Sequence, residues 1–182
     1  TTVDYVVSVT NTGNVTDTFD LNATGAWTTT VSAATINLGA GASGNVTVTV
    51  EIPANAAPPD SDVATFTATS QNDAGATDSA DLTTSVNAAY GVEVSADDAA
   101  NGDAGTTVDY VVSVMNTGND TDTFDLSATG AWTATVSAAT INLGAGASGN
   151  VTVTVEIPAG ATPPDNDVAT FTATSQSDAS AT

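Results

Sequence analysis

The sequence predicts an all-β protein made of β-sandwich domains in tandem, and three observations predict it. The chain repeats itself at an offset of 105 residues, apolar and polar residues alternate at period two, and Gly-, Asn- and Pro-rich turns interrupt the alternation at short intervals. No window carries apolar spacing near 3.6 over a useful length, so helices have no support.

The repeat is nearly perfect. Residues 1–77 align with 106–182 without a gap, and 68 of the 77 positions are identical. The differing pairs are Thr10/Met115, Val15/Asp120, Asn22/Ser127, Thr29/Ala134, Asn55/Gly160, Ala57/Thr162, Ser61/Asn166, Asn72/Ser177 and Gly75/Ser180. Most are exchanges among small or polar residues, as solvated turns and faces permit. Such identity marks recently copied cassettes of long surface arrays.

Each unit reads as a series of short strands. In Thr2–Thr10, Val3, Tyr5, Val7 and Val9 share one face, with Asp4 and Ser8 on the other. Asn11-Thr12-Gly13-Asn14 then turns the chain. Thr18–Leu21 offers Phe19 and Leu21; Trp27–Ser32 offers Trp27, Thr29 and Val31; Thr35–Leu38 offers Ile36 and Leu38. After the Gly39–Asn45 turn, Asn45–Pro53 alternates Val46, Val48, Val50 and Ile52 against Thr47, Thr49 and Glu51. Pro58-Pro59-Asp60 precedes Val63–Ser70, in which Phe66 is flanked by Ala64 and Ala68. Thr and Val dominate, and β-branched side chains suit a pleated, half-buried surface.

The segment Asp78–Gly105 occurs once and holds two more strand candidates, Asp81–Val86 and Tyr90–Ala96, joined by Asn87–Ala89. The first reads as the closing strand of copy one and the second as the opening strand of copy two. The domains are therefore expected at 1–87 and 88–182, copy one without its opening strand and copy two without its closing one. Truncation of a longer array explains this phase, and strand addition from neighbouring chains is the alternative. The short join is expected to restrict bending between copies. About seven strands in some 100 residues, with Trp27 and Trp132 expected to be buried, read as an Ig-like sandwich in each copy.

The segments Asn11–Leu21, Gly25–Trp27, Ile36–Pro53 and Phe66–Gln71 resemble the Ig-like repeats of bacterial and archaeal cell-surface proteins. That adhesion-related class is also appended to some secreted glycosidases. The resemblance covers nearly all of each copy. It implies an extracellular, spacer-like or ancillary role, and it supplies no catalytic residues.

Composition excludes much chemistry. Of 182 residues none is Lys, Arg, His or Cys, while 21 are Asp or Glu, a net charge of −21. Without cations the chain has nothing to neutralise phosphates, so nucleic-acid binding is not expected. A His-based triad, a Cys nucleophile, a lysine Schiff base and a Cys/His zinc site are impossible. No apolar run reaches the roughly 18 residues of a membrane span. Self-repulsion at this charge costs stability. High salt, which shortens the Debye length from about 8 Å to about 3 Å at 1 M, or bound Ca²⁺ would relieve it.

No cofactor is required on this reading, with Ca²⁺ the one ion considered. Asp97, Asp98, Asn101 and Asp103, beside Gly102, offer oxygen ligands at short spacing, although the spacing departs from the EF-hand loop and a solvated acidic turn is the alternative. Asp60 and Asp62, with Asp165 and Asp167, form a weaker candidate. Asp17 and Asp20, with Asp122 and Asp125, are expected as caps of turns. Asn14, Asn22, Asn45, Asn119 and Asn150 each begin an N-x-[ST] sequon. Gln71 and Gln176 leave a Thr–Gln ester formally open, against a plain polar strand end. Glycoside hydrolysis by paired carboxylates is not expected, because these Asp residues recur with the repeat and lie in turns.

The expected function is structural: a repeat module of an extracellular stalk, adhesin array or filament, not an enzyme. Its expected partners are neighbouring repeats of the same protein and further copies in a filament, with no nucleic acid and no membrane insertion in this segment. The alternative is a carbohydrate- or protein-recognition module.

Overall fold

A computed structural model describes every residue except Ala96, the last residue of the expected Tyr90–Ala96 strand, which lies outside the described residues. The described chain is all-β, and it divides into two compact units, Thr1–Asn87 and Ala88–Thr182.

Unit 1 contains β1 (Thr2–Thr10), β2 (Asp17–Thr24), β3 (Thr28–Val31), β4 (Thr35–Leu38), β5 (Ser43–Glu51), β6 (Ser61–Ser70) and β7 (Thr77–Ser85). They form two antiparallel sheets, β1-β5-β3 and β4-β2-β6-β7. Unit 2 contains β8 (Val92–Val94), β9 (Thr107–Asn116), β10 (Asp122–Thr129), β11 (Thr133–Val136), β12 (Thr140–Leu143), β13 (Ser148–Glu156) and β14 (Thr170–Ser175). Its sheets run β11-β13-β9-β8 and β12-β10-β14.

Period-two burial drives this arrangement. Along β5, Val46, Val48 and Val50 are buried while Asn45 and Glu51 stay exposed. Tyr5 and Val31 lie opposite Val48 on its two neighbours, so one valine row seams the three-stranded sheet. The core of unit 1 gathers Val9, Leu21, Leu38, Val46, Val48 and Phe66. That of unit 2 gathers Val114, Phe124, Leu126, Leu143, Val151 and Ala173. Alternating inward faces of this kind are what a two-sheet sandwich buries.

Two expectations need correction. Trp27 and Trp132 are half-buried, and neither belongs to the buried clusters. Each precedes the short strand β3 or β11, at a turn whose backbone is held by a carboxylate, and the core closes instead around Phe66 and Phe124. Second, β7 begins at Thr77, not Asp81, and β8 covers only Val92–Val94. The outer half of β7 has no apolar face, and it is a strand because it pairs with β6 along its whole length, from Thr69↔Thr77 to Ser61↔Ser85.

The units differ in which sheet has the extra strand. Among the described residues, unit 1 has β7 on β6 and no strand on the outer edge of β1, while unit 2 has β8 on β9 and no strand on the outer edge of β14. Packing responds. Phe66 is 3% exposed under β7, whereas its counterpart Phe171 is half-buried; Phe124 is fully buried beside β8, whereas its counterpart Phe19 is half-buried. Strand β14 also starts four residues late relative to β6, since among the described residues no strand pairs with the backbone at 166–169 on that side.

Candidate functional site

With no Lys, Arg or His in the chain, every carboxylate must find neutral donors or water. The structure shows where they go. Asp62 accepts the backbone N–H groups of Ala26 and Trp27, both at 3.0 Å, and so clamps the turn between β2 and β3. Asp167 does the same for Ala131 and Trp132, at 3.1 and 2.9 Å. A methyl group on Gly25 would stand 2.5 Å from Asp62 Oδ2, so only glycine lets the carboxylate approach this turn.

Asp17 and Asp122 anchor the opposite hairpin. Ser70 Oγ donates to Asp17 Oδ2 at 2.6 Å and accepts the N–H of Asn72 and of Asp73. Asn72 Nδ2 completes the set with a bond to Asp17 Oδ1 at 2.8 Å. In unit 2 Ser175 replaces Ser70, and Ser177 Oγ donates to Asp122 Oδ1 at 2.9 Å where Asn72 stood. The Asn72/Ser177 difference thus preserves the bond with another donor. Asp20 and Asp125 accept the side-chain amides of Gln71 and Gln176, at 2.6 and 2.7 Å. Asp60 and Asp165 accept Ala57 N–H and Thr162 N–H within their own Pro-Pro turns. Asp62 and Asp167, read from sequence as loop acids beside them, instead reach turns 35 residues away.

Burial opposes ionisation of Asp122, but the Ser175 and Ser177 hydroxyls and the Thr123 N–H outweigh it and lower its pKa. The Trp132 N–H lowers that of Asp167, against partial desolvation and with help from Ala131. The Ser180 hydroxyl and N–H lower that of Asp178. A carboxyl whose folded pKa is depressed contributes stability above its unfolded value, about 3.9, and loses it as pH falls through the folded value. Unit 2 is therefore expected to weaken on acidification below about pH 4. Asp122→Asn should flatten that acid limb in urea titrations read by Trp132 fluorescence in a Trp27→Phe background. An unchanged limb would remove Asp122 from the acid response.

The candidate calcium ligands do not converge. Asp97, Asp98, Asn101 and Asp103 are all exposed, Asp98 accepts its neighbour Ala99 N–H, and the Asp103 carbonyl accepts from Thr106. Among the described residues no group of three acidic side chains is placed to hold a metal ion. Of the sequon asparagines, Asn14 lies in an exposed turn, and Asn22, Asn45 and Asn150 are exposed on β2, β5 and β13. Asn119 is partly buried, and its Oδ1 accepts Ala89 N–H at 2.7 Å, tying down the entry to β8.

In the sequence Asn11 is one turn residue among four. The structure makes it, with Asn116, a buried bracket. Asn11 Nδ2 donates to the carbonyls of Val15 and Leu38, at 2.8 and 2.9 Å, and its Oδ1 accepts Gly13 N–H at 2.9 Å. The Asn-Thr-Gly sequence hinted at the local bond, not the remote one.

Each unit has an opening beside its uncovered edge. In unit 2 a groove of about 1170 Å³ is lined by Tyr110, Val112, Trp132, Val153, Val168 and Phe171, with the 97–103 loop at its side. In unit 1 a slot of about 250 Å³ lies between Val7, Val9, Phe19 and Phe66.

A family model described as "IG-like fold at C-terminal of FixG, putative oxidoreductase" matches residues 4–86 and again residues 92–182. No curated protein matches the chain. Among solved structures, a protein of unknown function from Porphyromonas gingivalis W83 is 18% identical, with 85% of this chain and 76% of that one covered and a TM-score of 0.36. The CupB2 chaperone of Pseudomonas aeruginosa is 7% identical, with 92% and 91% covered and a TM-score of 0.38. The secreted serine protease VesC of Vibrio cholerae is 13% identical, with a TM-score of 0.35; 96% of this chain is covered but only 47% of VesC.

Proposed function

The chain belongs to the family of the Ig-like fold at the C-terminus of FixG, present here in two copies, and from that premise we propose that it acts as a structural repeat module, a spacer or scaffold of an extracellular stalk, adhesin array or filament. The observation that carries the proposal is how the polar groups are used. Asp17 and Asp62, and their counterparts Asp122 and Asp167, close turns and hairpins of their own unit through neutral donors at matching positions. Side chains committed in this way build a fold and are not held in reserve for substrate. The absence of Lys, Arg, His and Cys supports a non-catalytic role, because the common nucleophile–base pairs have no members here.

A surface location agrees with the acidity, since external brine screens self-repulsion, and with the exposed sequons at Asn14, Asn22, Asn45 and Asn150. Neighbouring repeats are the expected partners.

One observation favours a second reading, a ligand-binding module. The unit 2 groove carries three aromatic residues, Tyr110, Trp132 and Phe171, of the kind that stack on sugars or peptides. The two readings separate in a binding screen of the intact 182-residue chain against immobilised glycans and host-surface proteins. A spacer gives no saturable binding. Saturable binding abolished by Trp132→Ala would replace the structural reading with recognition.

A further inference from the structure

We infer that Asn101-Gly102, in the loop between β8 and β9, is a site of self-modification that stands apart from the structural-module reading. There the chain converts its own side-chain amide to a carboxylate, through a succinimide, and loosens the loop from unit 2.

One sequence feature and two structural ones converge on this pair. Asn101 is followed by glycine, whereas every other asparagine of the chain precedes a residue with a side chain. Ring closure needs the next backbone nitrogen to reach the asparagine Cγ, and a Cβ on that next residue obstructs the approach. Both residues are exposed, in irregular backbone that no ladder holds. Among the described residues, neither the Asn101 amide nor the Gly102 N–H has a hydrogen-bond partner, so nothing must break first. Asn55 supplies the contrast within the same molecule. It too is exposed in a turn, but Ala56 follows it, and the Ala56 N–H is bonded to Pro53 O at 3.1 Å.

The step needs only water. The Gly102 nitrogen gives up its proton and attacks Asn101 Cγ, and Nδ2 leaves as ammonia. Water then opens the succinimide at one of its two carbonyls. Cleavage of the Cγ–N bond leaves aspartate; cleavage of the bond from the backbone carbonyl carbon leaves isoaspartate, with the main chain running through Cβ and Cγ. Either product adds one negative charge to the −21 of the chain, beside Asp97, Asp98 and Asp103.

The isoaspartyl product also lengthens the backbone by one atom, at a place with little slack. The loop is pinned before the site by Ser95 N–H on Ser113 O at 2.9 Å, and after it by Gly105 N–H on Ile157 O at 3.0 Å. Gly102 itself is seated against side chains, since a methyl group there would stand 2.8 Å from Ile157 Cδ1 and 3.0 Å from Val108 Cγ2. An added backbone atom displaces Gly102 from that seat and strains the adjoining Gly105–Ile157 bond.

The test is incubation of the intact chain at pH 7.4 and pH 9, followed by glutamyl endopeptidase, which releases residues 94–156, and tandem mass spectrometry. Asn101 should convert at least about tenfold faster than Asn55, and faster at pH 9, where the attacking nitrogen loses its proton more readily. Gly102→Ala should slow conversion at least about tenfold, and Asn101→Gln should abolish it. In the aged protein, amide exchange at Gly105 should quicken, while Asn101→Asp, with the charge on an ordinary backbone, should keep its protection. Conversion at Asn101 no faster than at Asn55, or undiminished in Gly102→Ala, would overturn the site. Unchanged exchange at Gly105 after conversion, or exchange equally fast in Asn101→Asp, would overturn the loosening by backbone insertion.

Discussion

Phe124→Ala is expected to destabilise unit 2 by about 3–5 kcal/mol, while Phe171→Ala in the same unit costs about 1–2 kcal/mol. In unit 1 the order reverses: Phe66→Ala is the severe change and Phe19→Ala the mild one. The residues are pairwise equivalent, Phe19 with Phe124 and Phe66 with Phe171, so chemistry and local sequence are held constant. What differs is the neighbouring strand. β7 pairs alongside Phe66, and Val92 of β8 packs against the cluster that holds Phe124; in each unit the ring beside the extra strand is the buried one. Truncating a buried ring loses its transfer free energy and leaves a cavity, whereas a half-exposed ring loses less and leaves a hollow that water already reaches. Each unit contains one tryptophan, so urea curves read by Trp132 in a Trp27→Phe background, and by Trp27 in a Trp132→Phe background, report the units separately. Equal costs for the two phenylalanines of one unit would refute the strand-dependent core.

The second large effect is expected at the buried asparagine. Asn116 is fully buried, and its Nδ2 donates to the carbonyls of Asp120 and Leu143, at 2.8 and 2.9 Å, while Oδ1 accepts Gly118 N–H at 2.9 Å. Asn116→Ala strands these buried groups, each worth about 1–3 kcal/mol when unsatisfied, so a loss of about 2–4 kcal/mol is expected after relaxation. Asn116→Asp should be worse, because it keeps the acceptor, removes both donors and turns a carboxylate toward two carbonyl oxygens. Asn142→Ala is the control. Its side chain also makes two bonds, to Asp122 O and Thr123 Oγ1, but it is exposed and water replaces them, for a cost under about 1 kcal/mol. If Asn116→Ala matched this control in urea midpoint, the bracket would be incidental to stability.

Much of the sandwich was legible in the sequence because it rests on a local rule. Val46, Val48 and Val50 alternate with threonines, and a period-two row of β-branched residues has one sensible use. Thr35–Leu38 is found as a strand with the bounds its two apolar residues suggest. The failures share a cause, since each depends on a group distant in sequence. Thr77–Ala80 is a strand only because β6 offers it a ladder. Asn11 is a bracket only because Leu38 O comes within its reach. Asp62 serves a turn that ends at Trp27. The tryptophans misled for a related reason: size marks a residue as worth burying, but its place at a turn decides how far burial goes.

The candidate site was less legible than the fold. Acidic residues at short spacing near Gly102 suggested ion ligands, yet ligation requires convergence, which spacing alone does not provide. The aromatic groove of unit 2 gave no linear signal, since Tyr110, Trp132 and Phe171 are far apart in the chain and meet only across the two sheets.

The neutral partners of these carboxylates have one more consequence. Ordinary proteins lose attractive ion pairs when electrolyte is added, which offsets what they gain from muted repulsion. Here Lys, Arg and His are all absent, so apart from the terminal amine there is no attraction to forfeit, and the hydroxyl and amide bonds around Asp17, Asp62 and their counterparts depend little on dissolved ions. Dilution is the hazard for such a molecule, which is expected to lose stability as electrolyte is withdrawn and repulsion among its carboxylates lengthens its reach.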